Sequence, residues 1–315
     1  MGTIKILNIE TLSYSGTTWL NLLIGSHPDV FAFGPPHRAW ALREKDFVGA
    51  CLVHGPECRF WAEFGRSWDR NENFFVALAR ASGKRIFVMD NATQDFINAT
   101  MSYPDIEIVR GRFVRDGRAA TASYARKMKG KGVTYLASIM PDGWFYHSFQ
   151  GIPLLSGLEK AGYLIVHYED AVSDQAGFLR KAGEFLGIRY DNNAYRFWEH
   201  DHHITVGNQG PIAMVRLHQG LRIGNFESAD VYRAQLDRLK ADPTDAFRDE
   251  RWKDQLAREE LFWFDQLMGG KNEQLGYERD VFTQQEIETF ARKGVADQEF
   301  AARIPSDLLR TLRSI

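Results

Sequence analysis

Residues 4–25 read IKILNIETLSYSGTTWLNLLIG. The apolar run Ile4–Ile9 predicts a short buried strand, and the run from Thr18 to Gly25 predicts a helix with a heavily buried face. Between them lies the turn Tyr14-Ser15-Gly16-Thr17-Thr18, which ends at the helix N-terminus. Such a turn points backbone N–H groups and the positive end of the helix dipole at an anion, usually a phosphate. We therefore expect a phosphate-binding loop; the alternative is an ordinary turn with Thr18 near the N-cap.

A second candidate anion-binding element begins at residues 113–116, which read FVRD, and continues to Ser123-Tyr124. The pattern predicts a strand that ends in Arg115, followed by a helix whose Ser123 faces the same way. The planar guanidinium of arginine suits bidentate phosphate contact. The alternative is a surface ion pair between Arg115 and Asp116, and we expect Arg118 to face solvent or to pair with Asp116. Two such elements on one chain imply a ligand with two separate phosphate positions.

Strand patterns alternate with helix patterns along the chain, which predicts an α/β fold with a mainly parallel sheet flanked by helices, a P-loop-like three-layer sandwich. The expected strands are Ile4–Ile9, Arg85–Met89, Ile106–Val109 with Arg112–Val114, and Tyr163–His167. The expected helices are Thr18–Gly25, Asn73–Ala81, Ala119–Lys129, Ala176–Leu186 and Asp254–Leu267. Residues 34–70 are expected to be irregular. We predict one α/β domain over residues 1–280 and a C-terminal helical extension over 281–315, which packs on the domain or on a second subunit.

Composition excludes several classes of protein. The chain has 315 residues, is 44% hydrophobic and carries a net charge of −2. That charge argues against a general nucleic-acid binder. The sequence contains no long apolar run typical of a transmembrane helix and no signal-peptide pattern at its start, so we expect a cytoplasmic protein. Two cysteines do not make a disulfide scaffold.

The two anion-binding elements resemble those of sulfotransferases that use 3′-phosphoadenosine 5′-phosphosulfate (PAPS). The stretch Ser15–Leu20, followed by His27-Pro28-Asp29-Val30, is similar to the 5′-phosphosulfate loop of that family. The stretch from Phe113 to Tyr124 is similar to its 3′-phosphate site. Further fragments resemble the family in the same order: residues 51–61 (a cysteine-containing loop of bacterial members), His167–Asp170, Phe185–Gly187, Gly207-Asn208 and Leu275–Tyr277.

The resemblance implies a role for each matching residue. Ser15, Gly16, Thr17 and Thr18 hold the 5′-phosphosulfate, and Arg115 with Ser123 holds the 3′-phosphate. The adenine stacks on Trp19 and is within reach of Tyr168, and Asn208 lies near the nucleotide. For Trp19 the alternative is core packing, and for Tyr168 it is a strand-end tyrosine with its hydroxyl in water. PAPS is the implied donor, adenosine 3′,5′-bisphosphate (PAP) is the product, and the family needs no metal.

Two positions depart from the family pattern. Tyr14 stands where the family usually has Lys or Arg, and Asn91 stands where many members have Lys. Either the Tyr14 hydroxyl contacts the sulfate or bridging oxygen, or a cation such as Arg38, Arg43 or Lys45 substitutes. We predict Asp90 as the general base, because burial beside a substrate pocket raises a carboxyl pKa. The alternative for Asp90 is helix capping, and His37 is a rival base.

Three functions fit these residues. The favoured one is transfer of a sulfuryl group from PAPS to a hydroxyl or amine on a small-molecule or glycan acceptor, in a monomer or a homo-oligomer. A nucleotide-binding pseudoenzyme on the same fold is the second, because of Tyr14 and Asn91. A P-loop kinase-like phosphotransferase is the third, although the loop lacks the first glycine and the lysine of a Walker A motif.

Cysteine and histidine residues occur in two groups that deserve a test for metal binding. Cys51, His54 and Cys58 offer three ligands, and His200, His202 and His203 form a second group. Structural zinc sites need four closely spaced ligands, and only the Cys51-x-x-His54 pair has a familiar spacing. We therefore expect no metal site, and we expect the histidine group to be solvated or to face the substrate.

Overall fold

The computed structural model describes residues 2–41, 47–223, 229–243 and 247–315. Contacts divide the chain into two compact units. The first unit comprises Met1–Thr11, Gly16–Phe113 and Gly162–Arg248, and the second comprises Leu12–Ser15, Val114–Ala161 and Asp249–Ile315. None of the helices in the described ranges is both long and apolar enough to span a membrane.

A five-stranded parallel sheet organises the first unit. Its strands are β1 (Ile4–Thr11), β2 (Val30–Ala32), β3 (Ile86–Asp90), β4 (Ile106–Val114) and β5 (Leu164–His167), and their order is β2-β3-β1-β4-β5. In the register, Ile6 pairs with Phe87 on one side and with Ile108 on the other. Every residue of β3 is buried, as expected for a parallel strand covered on both faces. The predicted α/β class is confirmed; β2 is an additional strand.

Nine helices of the described residues accompany this sheet in the first unit: α1 (Thr17–Ile24), α2 (Pro36–Ala41), α3 (Arg59–Ser67), α4 (Phe74–Ser82), α5 (Gln94–Met101), α10 (Tyr168–Ser173), α11 (Gln175–Leu186), α12 (Gln209–His218) and α13 (Ala229–Ala241). Several begin with a capping side chain: Asn73 accepts hydrogen bonds from the backbone of α4, and Thr93 does so for α5. The expectation that residues 34–70 are irregular is wrong for α2 and α3. Helix α3 forms because Trp61 and Phe64 share one buried face.

The second unit is helical. Its helices are α6 (Gly117–Met128), α7 (Tyr135–Ile139), α8 (Trp144–Gln150), α9 (Leu155–Lys160), α14 (Trp252–Gln255), α15 (Arg258–Phe264), α16 (Gly270–Gln274), α17 (Gln284–Ala296), α18 (Gln298–Ala301) and α19 (Ser306–Arg313). A π-helical turn, Asp265–Gly269, joins α15 to α16. The predicted helix Asp254–Leu267 is corrected, because α14 ends at Gln255 and α15 begins only at Arg258.

The C-terminal residues pack inside this second unit. Ile304 and Leu312 are buried in the same apolar cluster as Trp263. The ring of Phe300 lies edge-on to Trp263 with a centroid distance of 4.5 Å. The tail therefore contributes apolar side chains to the core of its own chain, which is one of the two packing partners predicted from the sequence.

Candidate functional site

The loop after β1 turns into α1 at Gly16, whose backbone is in the left-handed region. This residue has φ +95°, and a Cβ atom at this position would lie 2.6 Å from Cε2 of Tyr168. Both observations require glycine, because other residues are strained at positive φ and the tyrosine leaves no room. Helix α1 begins immediately afterwards at Thr17. The predicted strand–turn–helix arrangement is therefore present.

The two threonines at the start of α1 have defined partners. The Thr17 hydroxyl donates to Oγ1 of Thr11 at 3.5 Å. Oγ1 of Thr18 accepts a hydrogen bond of 2.7 Å from the backbone N–H of Asn208. The Asn208 side chain in turn caps α12. The structure thus brings together two residues, Thr18 and Asn208, that the sequence assigned to the same nucleotide.

Tyr14 and Ser15 belong to the short segment Leu12–Ser15 of the second unit. Tyr14 has φ +71°, and its ring lies edge-on to Tyr124 with a centroid distance of 5.4 Å. Burial, followed by the neighbouring Tyr124, raises the pKa of the Tyr14 hydroxyl. The hydroxyl therefore stays protonated at neutral pH and is available as a hydrogen-bond donor. Ser15 is buried.

Arg115 lies in a cluster of three arginines around one carboxylate, all in the second unit. Its Nη2 donates to Oδ2 of Asp249 at 2.7 Å, and its Nη1 donates to the carbonyl oxygen of Tyr14 at 3.0 Å. Arg251 contacts both oxygens of Asp249, at 2.6 and 2.9 Å, and Arg126 contacts Oδ2 at 3.5 Å. Among the described residues, three guanidinium groups thus converge on one carboxylate, and clustered charges of one sign attract the opposite sign.

The same arginines control the ionisation of Asp249. Burial opposes ionisation, but hydrogen bonds from Arg251 and the charge of Arg115 outweigh it and hold the pKa of this carboxyl well below its usual range. Sequence reasoning missed Asp249 and Arg251 because they lie far from Arg115 in the chain. Sequence reasoning did not assign Arg126 to the 3′-phosphate site either. The available signal was the spacing: Arg126 lies eleven residues after Arg115, which corresponds to about three helical turns.

The other residues of the second element have separate roles in the structure. Asp116 caps α6 and pairs with Arg118 at 2.6 Å, so of the two alternatives predicted for Arg118 the ion pair is confirmed and exposure to solvent is wrong. Arg118 also pairs with Asp280 at 2.9 Å and lies over the ring of Trp252. Ser123 is half-buried on α6, the helix that also carries Arg126.

The two aromatic residues predicted to contact adenine lie in one buried cluster of the first unit. Trp19 is 1% exposed, and its ring centroid lies 5.8 Å from that of Tyr168. The Phe247 ring covers the indole at 5.3 Å with an interplanar angle of 31°. The Tyr168 hydroxyl donates to the carbonyl oxygen of Phe247. In this conformation Trp19 is thus part of the core, with Phe247 as its stacking partner.

Asp90 ends β3 as a buried carboxyl with one amide partner. Nδ2 of Asn21 donates to its Oδ1 at 2.7 Å. Burial raises the pKa of Asp90 to about 6, against the opposing effect of the Asn21 hydrogen bond. A carboxyl with such a pKa holds and releases a proton near neutral pH, as a general base requires.

The remaining candidate positions are Asn91, His37 and the three candidate cations Arg38, Arg43 and Lys45. Asn91 has φ +50°, and its Oδ1 accepts a hydrogen bond of 2.9 Å from the backbone N–H of Thr11. His37 is exposed on α2, the helix that also includes Arg38. Arg43 and Lys45 lie outside the described residues.

We expect the histidine group to be solvated or to face the substrate, and the first of these alternatives is wrong for His202. His202 is buried, its Nε2 lies 2.8 Å from the carbonyl oxygen of Phe197, and burial lowers its pKa to about 3. Nδ1 of His203 lies 3.4 Å from Sγ of Cys58. This segment of the chain thus contacts the cysteine-containing loop through His203, which is only partly exposed.

Comparison with solved structures identifies the fold. The sulfotransferase domain from the curacin biosynthetic pathway matches with a TM-score of 0.50 and 17% identity, over 89% of this chain and 99% of that one. The sulfotransferase domain from the Synechococcus PCC 7002 olefin synthase has a TM-score of 0.48 and 17% identity, over 76% and 95%. A mouse sulfotransferase complexed with PAP has a TM-score of 0.42 and 15% identity, over 86% and 88%.

The curacin-pathway match shows that the chain has a sulfotransferase-family fold. A scan against models of protein families and a search of curated proteins found no match to the sequence. Function therefore has to be argued from the site, because one fold hosts many activities.

Proposed function

We propose that this protein transfers a sulfuryl group from PAPS to a hydroxyl or amine acceptor. The observation that carries the proposal is the cluster of Arg115, Arg126 and Arg251. Arg115 directly follows β4, in the stretch that resembles a 3′-phosphate site. A dianionic phosphate suits such a cluster better than a single carboxylate does. The sulfotransferase-family fold and the turn at Gly16, which only glycine fits, support the same assignment.

The proposal assigns residues to the two phosphate positions of the nucleotide. Ser15, Gly16, Thr17 and Thr18 hold the 5′-phosphosulfate through backbone N–H groups and hydroxyls. Arg115 and Ser123 hold the 3′-phosphate, and Arg126 and Arg251 add charge. The backbone of Asn208 keeps the Thr18 side chain in place.

The chemistry needs a base for the acceptor and a donor for the leaving oxygen. In the transfer, the acceptor oxygen or nitrogen forms a bond to sulfur, the bond from sulfur to the bridging phosphate oxygen breaks, and PAP leaves. Asp90 takes the acceptor proton, for which its raised pKa is suited. Tyr14, which stays protonated, donates to the sulfate or bridging oxygen in place of the missing cation.

Adenine binding on Trp19 requires a rearrangement, because Phe247 covers the indole in this structure. If an adenine ring takes the place of the Phe247 ring, the Trp19 indole still has a planar aromatic partner. The Tyr168 hydroxyl, which donates to the backbone carbonyl of Phe247 in this structure, would then donate to the adenine instead.

The first experiment is calorimetric titration with PAP and, separately, with Mg-ATP. We expect metal-independent binding of PAP and weak binding of ATP. Arg251→Ala tests the cluster without disturbing the core, since the Arg251 side chain is 63% exposed. Loss of one charge-assisted phosphate contact weakens binding by roughly ten- to a hundredfold. Arg292→Ala, an exposed arginine on α17, is the matched control. Absence of PAP binding by the folded wild type would contradict the proposal.

A second candidate is a nucleotide-binding pseudoenzyme, and the position of Asn91 favours it. Its side chain holds the Thr11 backbone and so supplies no charge where many family members have lysine. Turnover of PAPS with a panel of phenol, sugar and amine acceptors separates the two candidates. Transfer that Asp90→Asn abolishes supports the enzyme, whereas tight PAP binding without turnover on any acceptor supports the pseudoenzyme.

A further inference from the structure

Four side chains of the first unit that could hold a metal ion meet, and none of them is assigned to the nucleotide. They are Cys51, His54, Cys58 and His203, and their ligand atoms all lie within 4.8 Å of one another. Sγ of Cys51 is 3.3 Å from Nδ1 of His54, and Sγ of Cys58 is 3.4 Å from Nδ1 of His203. Zinc bonds of about 2.3 Å to sulfur and about 2.1 Å to nitrogen place tetrahedral S and N ligands about 3.6 Å apart. The observed spacing is close to this value.

A carboxylate on the outer side of both histidines gives a second, independent observation. Nε2 of His54 lies 3.1 Å from Oδ1 of Asp201, and Nε2 of His203 lies 3.4 Å from Oδ2 of the same group. With Nε2–H bound to this carboxylate, each imidazole keeps the Nδ1 lone pair facing the two sulfurs. Histidines that ligate zinc commonly donate their other N–H to a carboxylate in this way.

The surrounding backbone holds the ligands in place. The N–H of His54 donates to Sγ of Cys51 at 3.3 Å, and the N–H of Gly55 closes a tight turn on the carbonyl of Cys51 at 2.9 Å. Nε1 of Trp61 donates to the carbonyl of His203 at 2.7 Å, and the ring of Phe60 stacks on that imidazole. Both cysteines are buried, while both histidines are partly exposed.

We propose that Cys51, His54, Cys58 and His203 form a closed, four-coordinate structural zinc site, with Asp201 as the outer carboxylate that orients both histidines. Two thiolates and two imidazoles in a tetrahedral arrangement favour Zn²⁺ over harder cations. All four positions belong to protein ligands, so the site is structural and not catalytic. It replaces the expectation from the sequence that the chain has no metal site.

The metal would join two segments that are distant in the chain. Cys58 and His203 are 145 residues apart. Residues 51–58 lead into α3, and the segment after His203 leads to Asn208, which contacts Thr18. Zinc therefore stabilises the fold around α3, whichever reaction the protein catalyses.

The test is metal analysis of the full chain purified without chelators. We expect one zinc per chain by mass spectrometry of the metal content. Replacing zinc with Co²⁺ should give a thiolate-to-cobalt charge-transfer band and the visible spectrum of tetrahedral cobalt. Cys58→Ser should lose the zinc, whereas His147→Ala, an exposed histidine on α8, should keep it. Asp201→Asn should weaken zinc affinity by roughly ten- to a hundredfold in competition with a chelator.

If Cys58→Ser does not fold, cobalt replacement in the wild type still decides the question. A folded wild type that takes up neither zinc nor cobalt at this site overturns the proposal. A Cys51–Cys58 disulfide in the freshly purified chain overturns it as well, because both thiolates are then consumed. Since PAP binding is measured separately, failure here leaves the proposed transferase function standing.

Discussion

Asp90→Asn should stabilise the protein at high pH and much less at low pH. Burial raises the pKa of Asp90 from 3.8 to about 6. The folded state therefore favours the neutral carboxyl, and ionisation of Asp90 lowers the stability of the fold. This loss of stability is absent at pH values below the pKa of the unfolded state and complete at pH values above the pKa of the folded state. About two pKa units correspond to about 3 kcal/mol at pH 8 and to about half of that at pH 5. Asparagine avoids this cost and still accepts the hydrogen bond from Asn21.

The assay is urea unfolding of wild type and Asp90→Asn at pH 5 and pH 8. The stability difference should grow by about 1.5 kcal/mol between the two pH values, and this pH dependence is independent of any constant packing effect of the amide. Asp105→Asn is the matched control, because Asp105 is exposed. A difference that stays constant with pH would show that the folded state does not penalise the Asp90 carboxylate, and the assignment of Asp90 as a base would lose its physical support.

Three further changes test other contacts. Gly16→Ala should destabilise the protein by about 1–3 kcal/mol in thermal unfolding, because φ is +95° and the methyl group meets Tyr168; wild-type stability would refute the requirement for glycine in this turn. Arg118→Ala should cost about 3–5 kcal/mol in urea unfolding, since it removes the guanidinium that pairs with the carboxylates of both Asp116 and Asp280; a small loss would show that both are solvated. Phe247→Ala should raise PAP affinity up to about tenfold by calorimetry, because adenine then stacks on Trp19 without a competitor; unchanged affinity would place adenine elsewhere.

Most of the sheet can be predicted from the sequence because its strands are local apolar runs. The elements β1, β3, β4 and β5 were predicted to within a few residues. The strand β2 was missed because three residues, Val30–Ala32, give no measurable periodicity. Helix α3 was missed because charged residues and an internal glycine weaken its local preference, and burial of two aromatic residues on one face forms it instead.

The residues of the candidate site can be predicted from the sequence only where they lie close together in the chain. The turn at Gly16 and the arginine after β4 are local patterns, and the sequence predicts both. The partners that define their chemistry come from elsewhere: Asp249 reaches Arg115 across 134 residues. No spacing rule finds such a partner, because the packing of the second unit creates the contact.

The cysteine and histidine residues show the same limit of sequence-based prediction, because their partners are also distant in the chain. Spacing rules for zinc work when a short loop supplies ligands in pairs, as in Cys51-x-x-His54. Here three ligands come from one loop, and the fourth, His203, comes from a segment that follows β5 and α11. The sequence therefore presents two incomplete groups, each too small for a site, and only the fold joins one member of the second group to all of the first. A complete ligand set thus becomes visible at the level of tertiary structure, where Asp201 also acquires its place behind both imidazoles.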